Sequence, residues 1–315
     1  MKEKRIVLGI DTSNYTTSVA LMYEDGELIA NIKRPLPVKA GERGLRQSDA
    51  VFAHIKNLPS AMTEASEYLA GRTPSAVGAS ARPRNIDGSY MPCFLTGVAA
   101  AESIAAASGI PIYKFSHQCG HIMAALYSSG KTEYLDGREF CAFHVSGGTT
   151  EVLKVIANES GFDSKLVGGT MDLNAGQIID RVGVFMELPF PAGPHIERLA
   201  LENSKKIPKK KPKISELKVN LSGLENMAVK LYSESGDKSL VSAFVLEYIG
   251  DALCLLAGGF AERYGEMPFV FSGGVMSNSL IKNKIKHQFD ASFAEPSMSA
   301  DNAVGIAYLT ARNIN

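Results

Sequence analysis

The chain has no excess of charge of either sign. Thirty-three Lys and Arg side chains offset thirty-three Asp and Glu. Net charge therefore gives no push toward nucleic acid or a membrane surface, and any polyanion site must be a local patch. Cysteine is scarce. Cys93, Cys119, Cys141 and Cys254 form no CxxC pair and no disulfide-dense spacing, which argues against a disulfide scaffold and fits a reducing cytoplasm. No signal peptide and no membrane-length apolar segment is read, so a soluble cytoplasmic protein with no membrane contact is expected. What is present is an ordinary globular mixture, 45% hydrophobic and 21% charged over 315 residues, enough for two domains sharing an interface.

Histidine is sparse as well, with six in the chain, and two of them stand four apart at His117 and His121. The stretch from Pro111 to Tyr127 reads as a short strand ending at Phe115, then a helix with Ser116 as its N-cap. On that helix both imidazoles project from one face, roughly 6 Å apart along the axis. Two ring nitrogens can close that distance onto one metal ion. Spacing alone leaves two readings open, a metal pair or a chance pair with one ring packed and one exposed.

Around this stretch the chain alternates strands, glycine-rich turns and helices. Strand patterns over Arg5–Asp11, Ser18–Tyr23 and Glu27–Arg34, with a polar turn through Thr12, Ser13, Asn14 and Tyr15, match the opening of the actin-like ATPase fold. A plain hairpin would show the same residues. Pro35 to Leu45 is irregular and holds Lys39 and Arg43. Ser48–Leu69 is helical in pattern with a break or kink expected at Pro59. A strand over Ser75–Ala81 leads into the loop Arg82 to Gly88, which includes Asp87. Cys93–Ser108 is a small-residue helix closed by Gly109.

The second half repeats this grammar. Phe140–Val145, the turn Ser146-Gly147-Gly148-Thr149-Thr150 and Glu151–Ile156 are followed by a weaker strand over Asp163–Val167. Gly168 to Asp172 then leads to a helix through Gln177 and Asp180. The repeat favours two lobes with a ligand between them. Helices are expected over His195–Glu202, Leu224–Tyr232 and Leu240–Tyr264. Met267–Phe271 runs into Ser272-Gly273-Gly274 and a helix opening at Met276-Ser277-Asn278, a cradle for phosphate or adenosine or simply a tight turn. Six lysines crowd 205–213, read either as a solvated loop or as contact with an RNA backbone. Asp301-Asn302-Ala303 opens a terminal helix, with Asp301 as N-cap or as a third metal ligand.

Taken together, these residues resemble the TsaD/Kae1/Gcp family, the tRNA N6-adenosine threonylcarbamoyltransferases once called O-sialoglycoprotein endopeptidases. The motifs that carry the resemblance stand in family order. They are Gly9-Ile10-Asp11-Thr12-Ser13, His117-xxx-His121, Val145-Ser146-Gly147-Gly148, Gly176-xxx-Asp180, Pro191-Ala192-Gly193-Pro194, Leu221-Ser222-Gly223-Leu224, Ser272-Gly273-Gly274-Val275-xx-Asn278 and Asp301-Asn302-Ala303.

The resemblance implies an α/β actin-like ATPase (ASKHA) fold of two ribonuclease-H-like lobes with a cleft between them. Residues 1–113 joined by the terminal helix 303–315 would form one lobe, and 114–302 the other. It implies transfer of threonylcarbamoyl from its adenylate to N6 of adenosine 37 in tRNA. His117, His121 and Asp301 would be the catalytic and metal-binding residues, holding one zinc or iron. His144, Val145, Ser146, Gly147, Gly148, Asp180, Gly193 and Asn278 would border bound ATP or threonylcarbamoyl-AMP. The implied partners are tRNA, the pathway's other proteins and a homo- or heterodimer with a family paralogue.

The chain also departs from the family pattern. Asn14 and Tyr15 replace an acidic residue and a cysteine, and Thr149 replaces a histidine. Gln177 replaces a glutamate, and Leu173-Asn174 an acid-alanine pair. Ala81-Arg82-Pro83-Arg84 replaces a Gly-Pro-Gly loop, and Glu225 a lysine. A catalytically silent nucleotide-binding paralogue, acting as scaffold or partner of a true family member, is therefore the alternative. A metalloprotease is disfavoured, since His117-Gln118-Cys119-Gly120-His121 lacks the glutamate of HExxH enzymes. A sugar or acetate kinase of this fold has no need of the histidine pair.

Overall fold

The protein was examined as a computed structural model, which describes residues 3–13, 15–37, 45–86, 88–158, 161–299 and 301–314. Asn14, Lys39, Arg43 and Asp87, singled out above, lie outside the described residues. In chain order the elements are β1 (Ile6–Asp11), β2 (Thr16–Tyr23), β3 (Leu28–Pro35), α1 (Gln47–Leu69), β4 (Ala76–Arg82), α2 (Phe94–Ser108), β5 (Ile112–Ser116) and α3 (His117–Ser128). There follow β6 (Glu139–Val145), β7 (Thr150–Asn158), β8 (Gly161–Thr170), α4 (Ala175–Phe185), α5 (Gly193–Leu201), β9 (Ile214–Ser215), β10 (Lys218–Val219), α6 (Ser222–Ser235) and α7 (Lys238–Tyr264). The chain closes with β11 (Phe269–Ser272), α8 (Ser279–Lys286), β12 (Ala291–Phe293), α9 (Pro296–Ser299) and α10 (Val304–Asn313).

Two compact units result. The first comprises residues 1–136, 157–163 and 300–315, and the second 137–156 and 164–299. The division falls after Asp136 rather than at the expected 113, because β5 pairs with β4 and α3 packs on α10. Strand pairing carries α3 into the first unit.

The first unit is a five-stranded sheet in the order β3-β2-β1-β4-β5. β1 to β3 are antiparallel, whereas β4 and β5 run parallel to β1. All six residues of β1 are buried, as expected for a central strand covered on both faces. Ile6, Leu8 and Ile10 pack with Leu58, Ala61 and Ala65 of α1 and with Ala101 and Ala105 of α2. Pro59 lies inside α1, which continues to Leu69. The opposite face of the sheet carries α10.

α3 and α10 cross at glycine against glycine. A Cβ on Gly305 would lie 2.0 Å from the Gly120 carbonyl oxygen, so the approach requires glycine at 305, whereas a Cβ on Gly120 would meet only the Ile306 side chain at 3.1 Å. Gly120 sits between the two histidines of α3, and Gly305 sits one turn after Asp301. This contact fixes how closely the three side chains meet.

The second unit is a seven-stranded sheet in the order β12-β11-β6-β7-β8-β10-β9. β8 runs through Gly168 and Gly169, past the expected end at Val167, because Gly169 pairs with Lys218 of β10. α7 is long and apolar enough to cross a membrane, contrary to the expectation that no such segment exists. Most of that window is buried, and its residues from Leu240 to Phe260 build this unit's core. Asp237 caps the helix by accepting from the Ser239 and Leu240 N–H groups, a contact that contributes about 1 kcal/mol.

Candidate metal centre and glycine-turn site

Four segments of the first unit converge at the carboxyl end of β1. Register with Ser18 places Asp11 at the last paired position of that strand. Ser116 caps α3 by accepting the Cys119 N–H, which starts the helix so that His117 is its first residue. Ser18 Oγ accepts the Ala303 N–H, and Asn302 Oδ1 accepts the Val304 N–H. The N-cap of α10 is Ala303, without a side-chain capping bond, rather than the expected Asp301, whose carboxylate turns toward the histidines.

His117 Nε2 and His121 Nε2 face each other at 2.9 Å. Asp301 Oδ1 lies 3.5 Å from the first and 3.4 Å from the second. The ligand atoms of the three residues all fall within 4.8 Å of one another. Both rings are buried, so neither is the exposed member of a chance pair. Asp301's other oxygen accepts the Tyr15 N–H at 3.1 Å. Asp11 Oδ2 holds His117 Nδ1 at 2.9 Å, while Asp11 Oδ1 accepts the Ser13 N–H at 2.8 Å.

The electrostatics of this cluster follow from burial opposed by pairing. Burial alone would lower the His117 pKa, but the carboxylates of Asp11 and Asp301 overcome it and hold the imidazole up at about 10. Burial depresses His121, and the neighbouring His117 charge depresses it further. Burial works to raise Asp301, yet its hydrogen bonds to both histidines keep it well below the usual carboxylate range. Asp11 is lowered in the same way against burial, chiefly by His117. The charged form is thus favoured at His117 and disfavoured at His121, with a carboxylate beside each.

These residues fit a divalent ion. Two nitrogens bound to a tetrahedral ion stand roughly 3.3 Å apart, given bond lengths of about 2.0–2.1 Å. The rings need open by only a few tenths of an ångström once the His117 proton leaves. Asp11 supplies what a metal-bound imidazole requires at its far nitrogen, a carboxylate that fixes ring and tautomer. It was absent from the expected site residues, although a carboxylate at the carboxyl end of a sheet strand is where α/β proteins place ligand contacts. His54 of α1 is a further neighbour that the sequence did not single out. It is fully buried, bonded through Nδ1 to Thr17 Oγ1 at 2.8 Å, and its protonation is disfavoured by burial. Cys93 donates its thiol to the Ser13 carbonyl, and burial pushes its pKa up to about 11, which disfavours the thiolate.

The second unit places its expected residues in a different way. The turn between β6 and β7 is closed by Ser146, whose N–H donates to the Thr149 carbonyl and whose hydroxyl accepts the Gly148 and Thr149 N–H groups. Side chains added at Gly147 or Gly148 would meet nothing, so the outer face of this turn is open. Gly273 follows β11 with φ +97°, and a Cβ there would lie 2.3 Å from the Val145 carbonyl oxygen. The β6 and β11 turns are thereby pressed together, with His144 and Ser272 in register.

Val145 packs its side chain into the core, leaving only its backbone to a ligand. Asp180 of α4 accepts the Ala192 N–H at 2.9 Å, which ties α4 to the residue before Gly193. Burial raises the Asp180 pKa. Asn278 Oδ1 caps α8 through the Ile281 N–H, a structural duty that sequence reading missed. Glu197 accepts the Ser279 N–H and hydroxyl. Glu225, where the family carries lysine, pairs with Arg181 at 2.9 Å.

Residues 41–308 match the family model described as TsaD, tRNA N6-adenosine threonylcarbamoyltransferase. A protein of Streptococcus suis (strain 05ZYH33) named tRNA N6-adenosine threonylcarbamoyltransferase is 30% identical over 297 residues, covering 90% of this chain and 84% of the relative. Among solved structures, the (R)-2-hydroxyglutaryl-CoA dehydratase component A of Acidaminococcus fermentans superimposes with a TM-score of 0.56 at 13% identity, over 98% of both chains. A ROK family glucokinase from Streptomyces griseus, solved with glucose and AMPPNP, gives 0.53 at 12% identity over 97% of this chain and 98% of its own. These structural likenesses show the fold, which is the actin-like ATPase fold.

Proposed function

The chain belongs to the tRNA N6-adenosine threonylcarbamoyltransferase family, and from that membership we propose that it transfers threonylcarbamoyl from threonylcarbamoyl-AMP to N6 of adenosine 37 in tRNA. The observation that carries this reading is the convergence of His117, His121 and Asp301, with Asp11 behind His117. In the transfer, the adenine amine forms a bond to the carbamoyl carbon, the bond from that carbon to the phosphate oxygen of AMP breaks, and the amine gives up a proton. AMP leaves, and no covalent enzyme intermediate is needed.

His117, His121 and Asp301 would hold a zinc or iron ion, which supplies Lewis acidity to an oxygen of the acyl donor or its phosphate. Asp11 orients His117 through Nδ1, and the Tyr15 N–H fixes the Asp301 carboxylate. In the second unit, the Gly147 N–H and those of the Gly273–Gly274 turn are suited to the nucleotide's phosphate, since the Ser146 and Gly148 N–H groups are bonded within their own turn. Asp180 would accept from a ribose hydroxyl. Partner proteins that make the acyl-adenylate and present the tRNA follow from the family. A cytoplasmic setting suits tRNA and the unpaired, buried cysteines.

One observation favours the silent paralogue as second reading. The family's lysine is replaced by Glu225, and the structure commits that carboxylate to Arg181, removing a cation from the region assigned to the nucleotide. The test is mass spectrometry of tRNA nucleosides after incubation with ATP, threonine, bicarbonate and the partner enzymes, alongside metal analysis of the purified protein. Modified adenosine that disappears in His117→Ala supports the transferase. Bound nucleotide without modified adenosine establishes the second reading.

A further inference from the structure

Six lysines fall within nine residues at Lys205, Lys206, Lys209, Lys210, Lys211 and Lys213, with no acidic residue among them. Removing those six leaves twenty-seven basic side chains against thirty-three acidic ones. A chain of zero net charge thus concentrates positive charge in one segment and is acidic elsewhere.

The structure shows this segment to be anchored. Ile207 and Ile214 pack against the core of the second unit, and Pro212 is buried. The Asn203 side chain brackets Lys205, donating to its carbonyl at 2.9 Å and accepting its N–H at 3.2 Å. Lys205 pairs with Asp237 at 2.7 Å. The other five lysines are exposed, and among the described residues none has a carboxylate within ion-pair distance. Between the anchors, an extended run from Lys206 to Lys213 spans up to about 24 Å.

From this arrangement we propose that the 205–213 ridge is the surface on which the second unit docks the phosphate backbone of a folded RNA. The proposal rests on the family reading for its choice of RNA, and on the ridge itself for its location. Lysine is a point charge that takes single phosphates without reading bases. Residues 202–218 contain no Phe, Tyr or Trp, so bases have no ring to stack on, and a helical backbone suits the ridge better than an unpaired strand. No large apolar residue between 203 and 218 is exposed, which leaves a membrane without its second anchoring signal. Shielding of the sheet edge accounts for Lys213 beside β9, but Lys206 and Lys209 to Lys211 lie off that strand.

The experiment measures binding of a labelled tRNA transcript by fluorescence anisotropy between 50 and 200 mM salt, for the full chain and for K209Q/K210Q/K211Q. Five phosphate contacts give a log–log salt slope of about −4 and a loss of about 250-fold across that range. The triple variant should bind at least about tenfold more weakly at 100 mM, with a slope shallower by about 3. Its thermal unfolding should be unchanged, since the three side chains are exposed. Equal affinity and equal slope would overturn the proposal. So would a variant that keeps tRNA but loses polyglutamate or phosphatidylserine vesicles, which would make the ridge a protein or membrane dock. His117→Ala separates the two readings. If it abolishes modification while tRNA binding keeps its salt slope, both readings stand. If tRNA is bound through the ridge but never modified, the ridge stands and the transferase falls.

Discussion

The two units use opposite means to build a site. In the first, four ionisable side chains from β1, α3 and the segment before α10 meet, three of them buried and Asp301 half-buried, and the two carboxylates face the two imidazoles. In the second, two glycine turns present backbone and open space, and the ionisable side chain tied to them, Asp180, is engaged by a single backbone N–H. A site of buried charge fails when any one member is lost, because the remainder is left unpaired in low dielectric. A site of backbone N–H groups tolerates changed side chains as long as the turn persists. This difference matches part of the chain's departure from its family, although Tyr15 and residues 81–84 depart within the first unit, where Tyr15 meets Asp301 through its backbone N–H. The histidine pair and its carboxylates are retained, while Thr149, Gln177 and Glu225 lie in or near the second unit's turns. Thr149 even serves its turn, sharing a hydrogen bond with the Ser146 hydroxyl at 2.8 Å.

The sharpest way to break the comparison is through glycine. Gly305→Ala would put a methyl group 2.0 Å from the Gly120 carbonyl, prising α10 from α3 and Asp301 from the histidines. Overpacking of this kind costs about 3 kcal/mol or more. Gly148→Ala, where a Cβ meets nothing, should cost under about 1 kcal/mol. Denaturant unfolding of the two variants should show that gap, and Gly305→Ala should also lose metal. Equal stability of the two would mean that the helix crossing does not set the site.

Next in size is the carboxylate behind the first histidine. Asp11→Asn keeps the shape but removes the charge that holds His117. Outer partners of this kind are worth roughly 10- to 100-fold in metal affinity. Competition with a chelator measures it, and unchanged affinity would show that Asp11 serves the fold alone.

Titration separates the units further. In metal-free protein the His117 pKa is held at about 10, above its unfolded value near 6.5. That stabilisation is full below pH 6.5 and is lost as pH rises through 10. Metal must displace the same proton, so affinity for zinc should rise with pH over that window. The second unit responds at the acid end. Burial works to raise Asp172, but bonds from Ser222, Leu221 and Leu173 hold it at about 2. Its contribution is present above pH 3.8 and is lost as pH falls through 2. Because Asp172 is exposed to solvent, screening reduces its worth to about 1 kcal/mol or less. Chelated protein whose stability stays flat from pH 6.5 to 10 would refute the His117–carboxylate pairing.

What the sequence made legible divides along the same line. Local signals were readable. The Ser116 cap, the helical register of His117 and His121, and the Gly109 stop depend on neighbours in the chain, and they stand where the spacing puts them. Long-range duties were not. That Asp11 would reach His117, that Gly305 would meet Gly120, and that Ser18 would hold the Ala303 N–H are facts of packing between distant segments. Nothing in the periodicity of either partner encodes them. The seven-stranded sheet gained its short β9 and β12 in the same way, since strands of two or three residues leave too little alternation to read.

The smallest effect is also the most discriminating for the second unit. Asn278 was read as a nucleotide contact, yet its Oδ1 caps α8. Asn278→Ala removes the cap and costs about 1 kcal/mol whether or not a nucleotide binds, so weaker binding in that variant would be ambiguous. Asn278→Ser keeps a capping oxygen and removes the amide N–H donors. Aspartate is the poorer control, because the Glu197 carboxylate already bonds Ser279 beside it, and a second negative charge there would repel. With serine, stability should change by only a few tenths of a kcal/mol. ATP affinity measured by calorimetry should then fall severalfold if the amide reaches the ligand. Affinity equal to the parent's, in a variant whose unfolding midpoint is also equal, would confine Asn278 to holding the helix and move the nucleotide contact to the glycine turns.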